Sequence, residues 1–88
     1  MRYTWDEGKR TANERKHGVE FADAVSVLDD LLALTIEDRD HDEQRFVTLG
    51  MDAFGRLLVV VYTYPEPDII RILSARKAEP HEYREYQE

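Results

Sequence analysis

Apolar residues recur along this chain with different periods, and each period predicts an element. Met1-Arg2-Tyr3-Thr4-Trp5 is a short strand-like start. Asp6 is a good helix N-cap, and the stretch behind it predicts a helix to about Lys16 that stops at His17-Gly18. Phe21, Ala24, Val25 and Leu28 fall at i, i+3, i+4 and i+7, which predicts a second helix from about Glu20 to Leu28 with one core-facing stripe. Leu32 to Ile36 reads as a strand, and Glu37 to Gln44 as a polar loop. From Arg45 to Met51 the residues Val47, Leu49 and Met51 alternate with Phe46 and Thr48, which is strand spacing.

Asp52-Ala53-Phe54-Gly55 has turn chemistry. Behind it, Arg56 to Tyr64 is a nearly continuous β-branched and aromatic run, so this is the central strand, with Leu57 to Tyr62 buried on both faces. Pro65-Glu66-Pro67-Asp68 is expected to break that strand, Ile69 to Ala75 to form another, and Pro80 to open a last helix ending near Gln87. The order is β-α-α-β-β-β-β-α. It predicts one α+β domain over residues 1–88, an antiparallel sheet with helices packed on one face.

At 88 residues, a two-domain chain would leave neither half a core. The absence of cysteine excludes a disulfide scaffold, a thiolate nucleophile and a cysteine metal site, and it fits a reducing cytoplasm. The longest apolar run is far too short to span a membrane and no signal-peptide segment precedes the first element, so the chain reads as soluble and cytosolic. The net charge of −7 is concentrated in residues 19–44. A broad field for nucleic acid is thereby excluded, and any phosphate chemistry must come from a small basic cluster.

Asp38, Asp40 and Asp42 match the first, third and fifth positions of a calcium loop, but Glu43 stands at the sixth where glycine is required and Leu49 at the twelfth where glutamate is required. His17, His41 and His81 fall in different elements, so no metal site and no cofactor is expected, and His17 is most simply a helix C-terminal residue favourable to the dipole. The sharper signal is at the carboxyl end, where Arg71, Arg76 and Lys77 occur within seven residues free of acid. Arginine offers a planar fork of donors to a phosphodiester and lysine a compact charge. Tyr83 and Tyr86 could place a ring under a base or pack on the sheet. Strict alternation puts Arg71 and Arg76 on opposite faces, and they converge only if the strand bends or ends near Ala75.

Several of these segments together resemble a known family. They are Trp5-Asp6-Glu7, Lys9, Asn13, Lys16-His17-Gly18-Val19, Phe21, Ala24, the run from Asp42 to Phe46, Gly50, and the basic segment from Arg71 to Ala78. Their order and spacing are similar to the BrnT toxins of bacterial type II toxin–antitoxin systems, over nearly the whole chain. Glu82 and Tyr86 also fit the carboxyl-terminal pattern. Two segments depart from it: Tyr64-Pro65-Glu66-Pro67 stands where many relatives have a basic, glycine-containing hairpin, and Glu79-Pro80-His81 replaces a more basic start of the last helix.

The resemblance implies a RelE-like fold, a ribonuclease that slows translation, and inhibition by a BrnA-type antitoxin whose ribbon-helix-helix portion makes the operator DNA contacts. It also implies metal-independent cleavage, in which the ribose 2′-hydroxyl attacks the adjacent phosphate in line. That reaction needs a base, cations for the phosphorane and an acid for the leaving 5′ oxygen. Arg71 and Arg76 are the candidate cations, with Lys77 sharing that role and Glu82 or a histidine in proton transfer. Lys9, Arg45 and Tyr86 are candidate RNA-binding residues brought in by the family pattern. The competing reading is a non-catalytic protein-binding module that acts with a DNA-binding partner as a corepressor.

Overall fold

The structure, a computed structural model, describes residues 1–39 and 42–88; Asp40 and His41, which enter the calcium and histidine arguments above, lie outside the described residues. Strand β1 (Arg2–Thr4) leads to helix α1 (Glu7–His17), a short helix α2 (Phe21–Ala24) that continues as a 3₁₀ turn over Val25–Asp29, and strands β2 (Leu34–Asp38), β3 (Arg45–Met51), β4 (Leu57–Glu66) and β5 (Ile69–Lys77). Helix α3 (Pro80–Gln87) ends the chain. The α+β class and the element order are those the sequence predicts. The five strands form one sheet in the order β1-β5-β4-β3-β2. Strands β2 to β5 are an antiparallel meander, and β1 pairs parallel to β5.

Local chemistry explains the boundaries. The Asp6 carboxylate accepts the Lys9 amide at 2.9 Å, and α1 ends at Gly18 with φ 69°, a left-handed position that glycine takes without a Cβ clash. The second helix tightens after Ala24, where Val25 and Val27 bring β-branched side chains into the helical run. Strand β4 continues through Pro65 instead of breaking there. The ladder between β4 and β5 is irregular between Thr63 and Glu66, so the proline falls where no amide is needed, and Pro67-Asp68 alone make the turn.

The central strand has the double burial expected of an uninterrupted apolar run. Leu58, Val60 and Tyr62 join Val19, Phe21, Ala24, Val27, Ile70, Ile72 and Ala75 in the main core, on the face that α2 covers. Leu57 and Val59 point the other way and form a second cluster with Leu49, against which Tyr86 of α3 packs. The carboxyl-terminal helix therefore sits on the sheet face opposite α2, so the helices do not share one face as the sequence predicts: the apolar Leu49, Leu57 and Val59 of the second face need a cover of their own, and only that end of it is roofed. The remainder of the face is where the candidate chemistry lies.

Candidate active site

Strand β5 decides which side chains share the partly open face. Val61 pairs with Ser74 and Tyr62 with Ile72, so Leu73 is an extra residue with no partner on β4. Arg76 is opposite Val59 and Arg71 opposite Thr63. Directly paired residues point to the same face, and one extra residue cancels the odd five-residue step between the arginines. Arg71 and Arg76 thus project from one face, that of Val59, Val61 and Thr63.

Helix α1 lies along the open edge of β5 and makes a wall. The strand loses β1 as a neighbour after Arg71. Beyond it, the Asn13 side chain takes the place of a strand: its amide donates to the Ala75 carbonyl at 2.8 Å and its carbonyl accepts the Ala75 amide at 3.1 Å. The same amide donates to the Val19 carbonyl at 3.0 Å, so the one buried residue of α1 is fully used. The helix so placed turns Lys9, Ala12, Lys16 and His17 toward the sheet, where they line a trough of about 530 Å³ with Asp38, Arg45, Val61, Leu73 and Ser74. Lys9 also lines an adjoining depression with Thr4, Trp5 and Arg71. Lys9, Lys16, Arg45 and Arg71 make no ion pair with a carboxylate among the described residues.

Arg76 differs from those cations. Its two terminal nitrogens donate to Glu82 at 2.8 and 2.9 Å, a closed bidentate pair. Glu82 also accepts the Glu79 amide at 2.8 Å and completes the capping box of α3. The Arg76 hydrogen bonds, with the Glu79 amide assisting against the opposing effect of burial, hold the Glu82 carboxyl below its ordinary range. An ionised, tightly paired carboxylate is a weak proton donor, and the geometry gives the pair the work of anchoring α3. Lys77 is opposite Leu58, so it projects from the other face, exposed and away from Arg76. Tyr86 donates to Asp30 Oδ2 at 2.6 Å with its ring on the Leu49–Leu57–Val59 cluster, a packing role at the roofed end.

Of the residues singled out from the sequence, Lys9 and Arg45 line the trough, Arg71 lines the adjoining depression that Lys9 shares, Arg76 and Glu82 are closed on each other, and Lys77 and Tyr86 stand apart. Lys16 and Ser74 line the trough without being candidates for RNA chemistry, and His17 beside them is the histidine that the sequence offers for proton transfer only without a number. Lys16 and His17 stand in the Lys-His-Gly-Val motif, which was the available signal.

A family model described as the ribonuclease toxin, BrnT, of type II toxin–antitoxin systems matches residues 5–82. The chain belongs to the BrnT family. A crystal structure of the Brucella abortus ribonuclease toxin BrnT is similar to it with a TM-score of 0.73 and 26% identity, over 90% of this chain and 97% of that one. No curated protein matches the sequence. Membership makes the chain a ribonuclease toxin with an antitoxin partner, and the non-catalytic corepressor reading is not favoured. Among the described residues, no helix is long and apolar enough to cross a membrane.

Proposed function

We propose that this BrnT toxin binds single-stranded RNA in the trough between α1 and the sheet and cleaves it without a metal ion. The observation that carries the reading is the gathering of Lys9, Lys16, Arg45 and Arg71 around two adjoining depressions that share Lys9, in a chain of net charge −7. Cations without carboxylate partners are available to phosphates, and a short row of them offsets an overall acidity that would otherwise repel RNA.

In the proposed reaction the 2′-hydroxyl oxygen attacks the neighbouring phosphorus, the bond from phosphorus to the 5′ oxygen breaks, and a 2′,3′-cyclic phosphate and a 5′-hydroxyl result. One proton leaves the 2′ oxygen and one reaches the 5′ oxygen. His17 lines the trough, and an imidazole is suited to taking or giving a proton near neutrality. Arg71, Arg45 and Lys9 supply positive charge for the phosphorane, and Arg76 joins them only when its pair with Glu82 opens. The antitoxin is of BrnA type, its ribbon-helix-helix portion reading operator DNA, and both proteins act in the cytoplasm.

Purified protein and a labelled RNA test the reading. Lys9→Ala and Arg45→Ala should each weaken cleavage by at least about tenfold with circular dichroism unchanged. Cleavage at the parental rate in both would remove the trough from consideration.

A further inference from the structure

We propose that Thr63, between Arg71 and Arg45, seats the phosphodiester of the bound RNA, its hydroxyl donating to a non-bridging phosphate oxygen. The inference rests on the trough being the RNA site and adds to it residues that no sequence motif marks. Thr4 pairs with Arg71 on β1 and Thr63 pairs with Arg71 on β4. One step beyond the last ladder pair, Phe46 with Tyr62, Arg45 comes level with Thr63, and Asp38 pairs with Arg45 on β2. A single row therefore crosses the sheet from Thr4 through Arg71, Thr63 and Arg45 to Asp38.

Three buried side-chain atoms among the described residues have no hydrogen-bond partner: Thr4 Oγ1, Thr63 Oγ1 and Arg45 Nε. All three are in this row. Thr63 is 1% exposed and lines neither depression, so a phosphate reaches its hydroxyl only by displacing the exposed side chain of Arg71, its neighbour in the row. Elsewhere on the sheet a buried hydroxyl is satisfied, as where Thr48 bonds both Thr35 and the Tyr62 hydroxyl at 2.8 Å. Burying a hydroxyl or a guanidinium N–H without a partner is costly, and valine would fill the Thr63 position without that cost. Each of the three can donate, and donors held ready in a fixed frame are what a group with concentrated negative oxygen charge requires. Two guanidiniums beside two hydroxyls suit the several acceptor oxygens of a phosphate. Lys9 and Lys16 extend the positive charge along the trough, which suits a polymer of phosphates over a single carboxylate.

The test uses Thr63→Val and Thr63→Ser in the purified full chain. In single turnover on a labelled RNA, Thr63→Val should cut roughly a hundredfold more slowly, with a melting temperature equal to or above the parent's. Thr63→Ser should retain most of the activity. Titration of the parent with inorganic phosphate should shift the amide resonances of Thr4, Thr63 and Arg71, and Thr63→Val should weaken that response. Undiminished cleavage by Thr63→Val, beside impaired Lys9→Ala and Arg45→Ala, would overturn the phosphate seat and keep the trough. Parental activity in all three would overturn both. Should Thr63→Val not fold, the phosphate titration of the parent decides, and the absence of shifts in the row overturns the proposal. Shifts with a glutamate-rich peptide and none with phosphate would assign the row to an acidic peptide and overturn it as well.

Discussion

Arg71 and Arg76 project from the same face of β5 because the one unpaired residue between them, Leu73, cancels a half-turn of strand pleat. Their surroundings then divide them. Arg76 is closed on Glu82 under α3, while Arg71 lies on the open face beside Thr63 and below Lys9. A segment that looks like one basic cluster in the sequence is a structural clamp at one end and an open cation at the other.

The two arginines should accordingly fail in different ways. Arg71→Ala is expected to lower RNA cleavage roughly a hundredfold, with a change in stability within about 0.5 kcal/mol. Arg76→Ala leaves Glu82 without its main partner; because the guanidinium is partly solvated, the loss is taken as only about 1 kcal/mol, which for a domain of this size lowers the melting temperature by about 4–8 °C. Arg76→Lys should recover part of that stability, since the charge survives and the fork does not. Single-turnover cleavage and thermal melts on both variants check the division. A hundredfold loss for Arg76→Ala at unchanged melting temperature would assign it to the chemistry instead.

Acid should destabilise the fold through two identifiable carboxylates. Glu82 is held below its ordinary value of 4.5, chiefly by the Arg76 hydrogen bonds, and Asp30 below 3.8, chiefly by the Met51 amide and next by the Tyr86 hydroxyl. A carboxyl whose folded pKa is depressed stabilises above its unfolded pKa, and that stability is lost as pH falls through the folded value. Melting temperature should therefore hold from pH 7 to about 5 and then fall. Glu82→Gln and Asp30→Asn should each start lower at pH 7 and lose less between pH 5 and pH 2.5. An acid-induced loss as large in both variants as in the parent would show that other groups control the acid limb.

Element order and the buried central strand were legible because they depend on local periodicity, which a sequence states directly: nothing else accounts for an unbroken Leu57 to Tyr62. The bulge at Leu73 was not, since an extra residue in a strand leaves the apolar pattern of Ile70, Ile72 and Ala75 looking like an ordinary lapse of alternation. Nor was the split of Arg76 from Arg71, because the partner that closes Arg76 arrives six residues later from a helix whose docking face periodicity does not fix. Lys77 was grouped with Arg76 by adjacency, although neighbours in a strand point to opposite faces. Thr4 and Thr63 carry no signal at all in isolation, because a threonine in a strand is ordinary and only the three-dimensional count of partners makes theirs unusual.

Chelation should leave cleavage unchanged. The trough wall is made of Lys9, Lys16, His17 and Arg45, with Asp38 as its carboxylate, and such a field repels a divalent cation at the place where the phosphate is proposed to sit. Cleavage in EDTA at the rate seen without it is the expected result. Loss in EDTA restored by magnesium would require a metal-assisted mechanism in place of the cationic one.

Asn13 links fold to function, and its replacement should show both losses at once. Its side chain supplies the strand-like pair to Ala75 and a third bond to the Val19 carbonyl, at a site only 7% exposed. Asn13→Ala leaves the Ala75 amide and carbonyl buried at the edge of β5 without a partner, which is expected to cost about 2–3 kcal/mol. Asn13→Asp should be no better, because a carboxylate still accepts from the Ala75 amide but faces two carbonyl oxygens to which it cannot donate. Helix α1 also carries Lys9, Lys16 and His17, so loosening it moves one wall of the trough while Arg45 and Arg71 stay on the sheet. Hydrogen exchange should therefore accelerate at Ala75 and along α1 while the Val59 to Val61 amides stay protected. Cleavage should fall under conditions where circular dichroism still reports a folded chain. Parental exchange at Ala75 in Asn13→Ala would mean that water replaces the side chain without loss, and parental cleavage alongside fast exchange in α1 would separate the helix from the reaction.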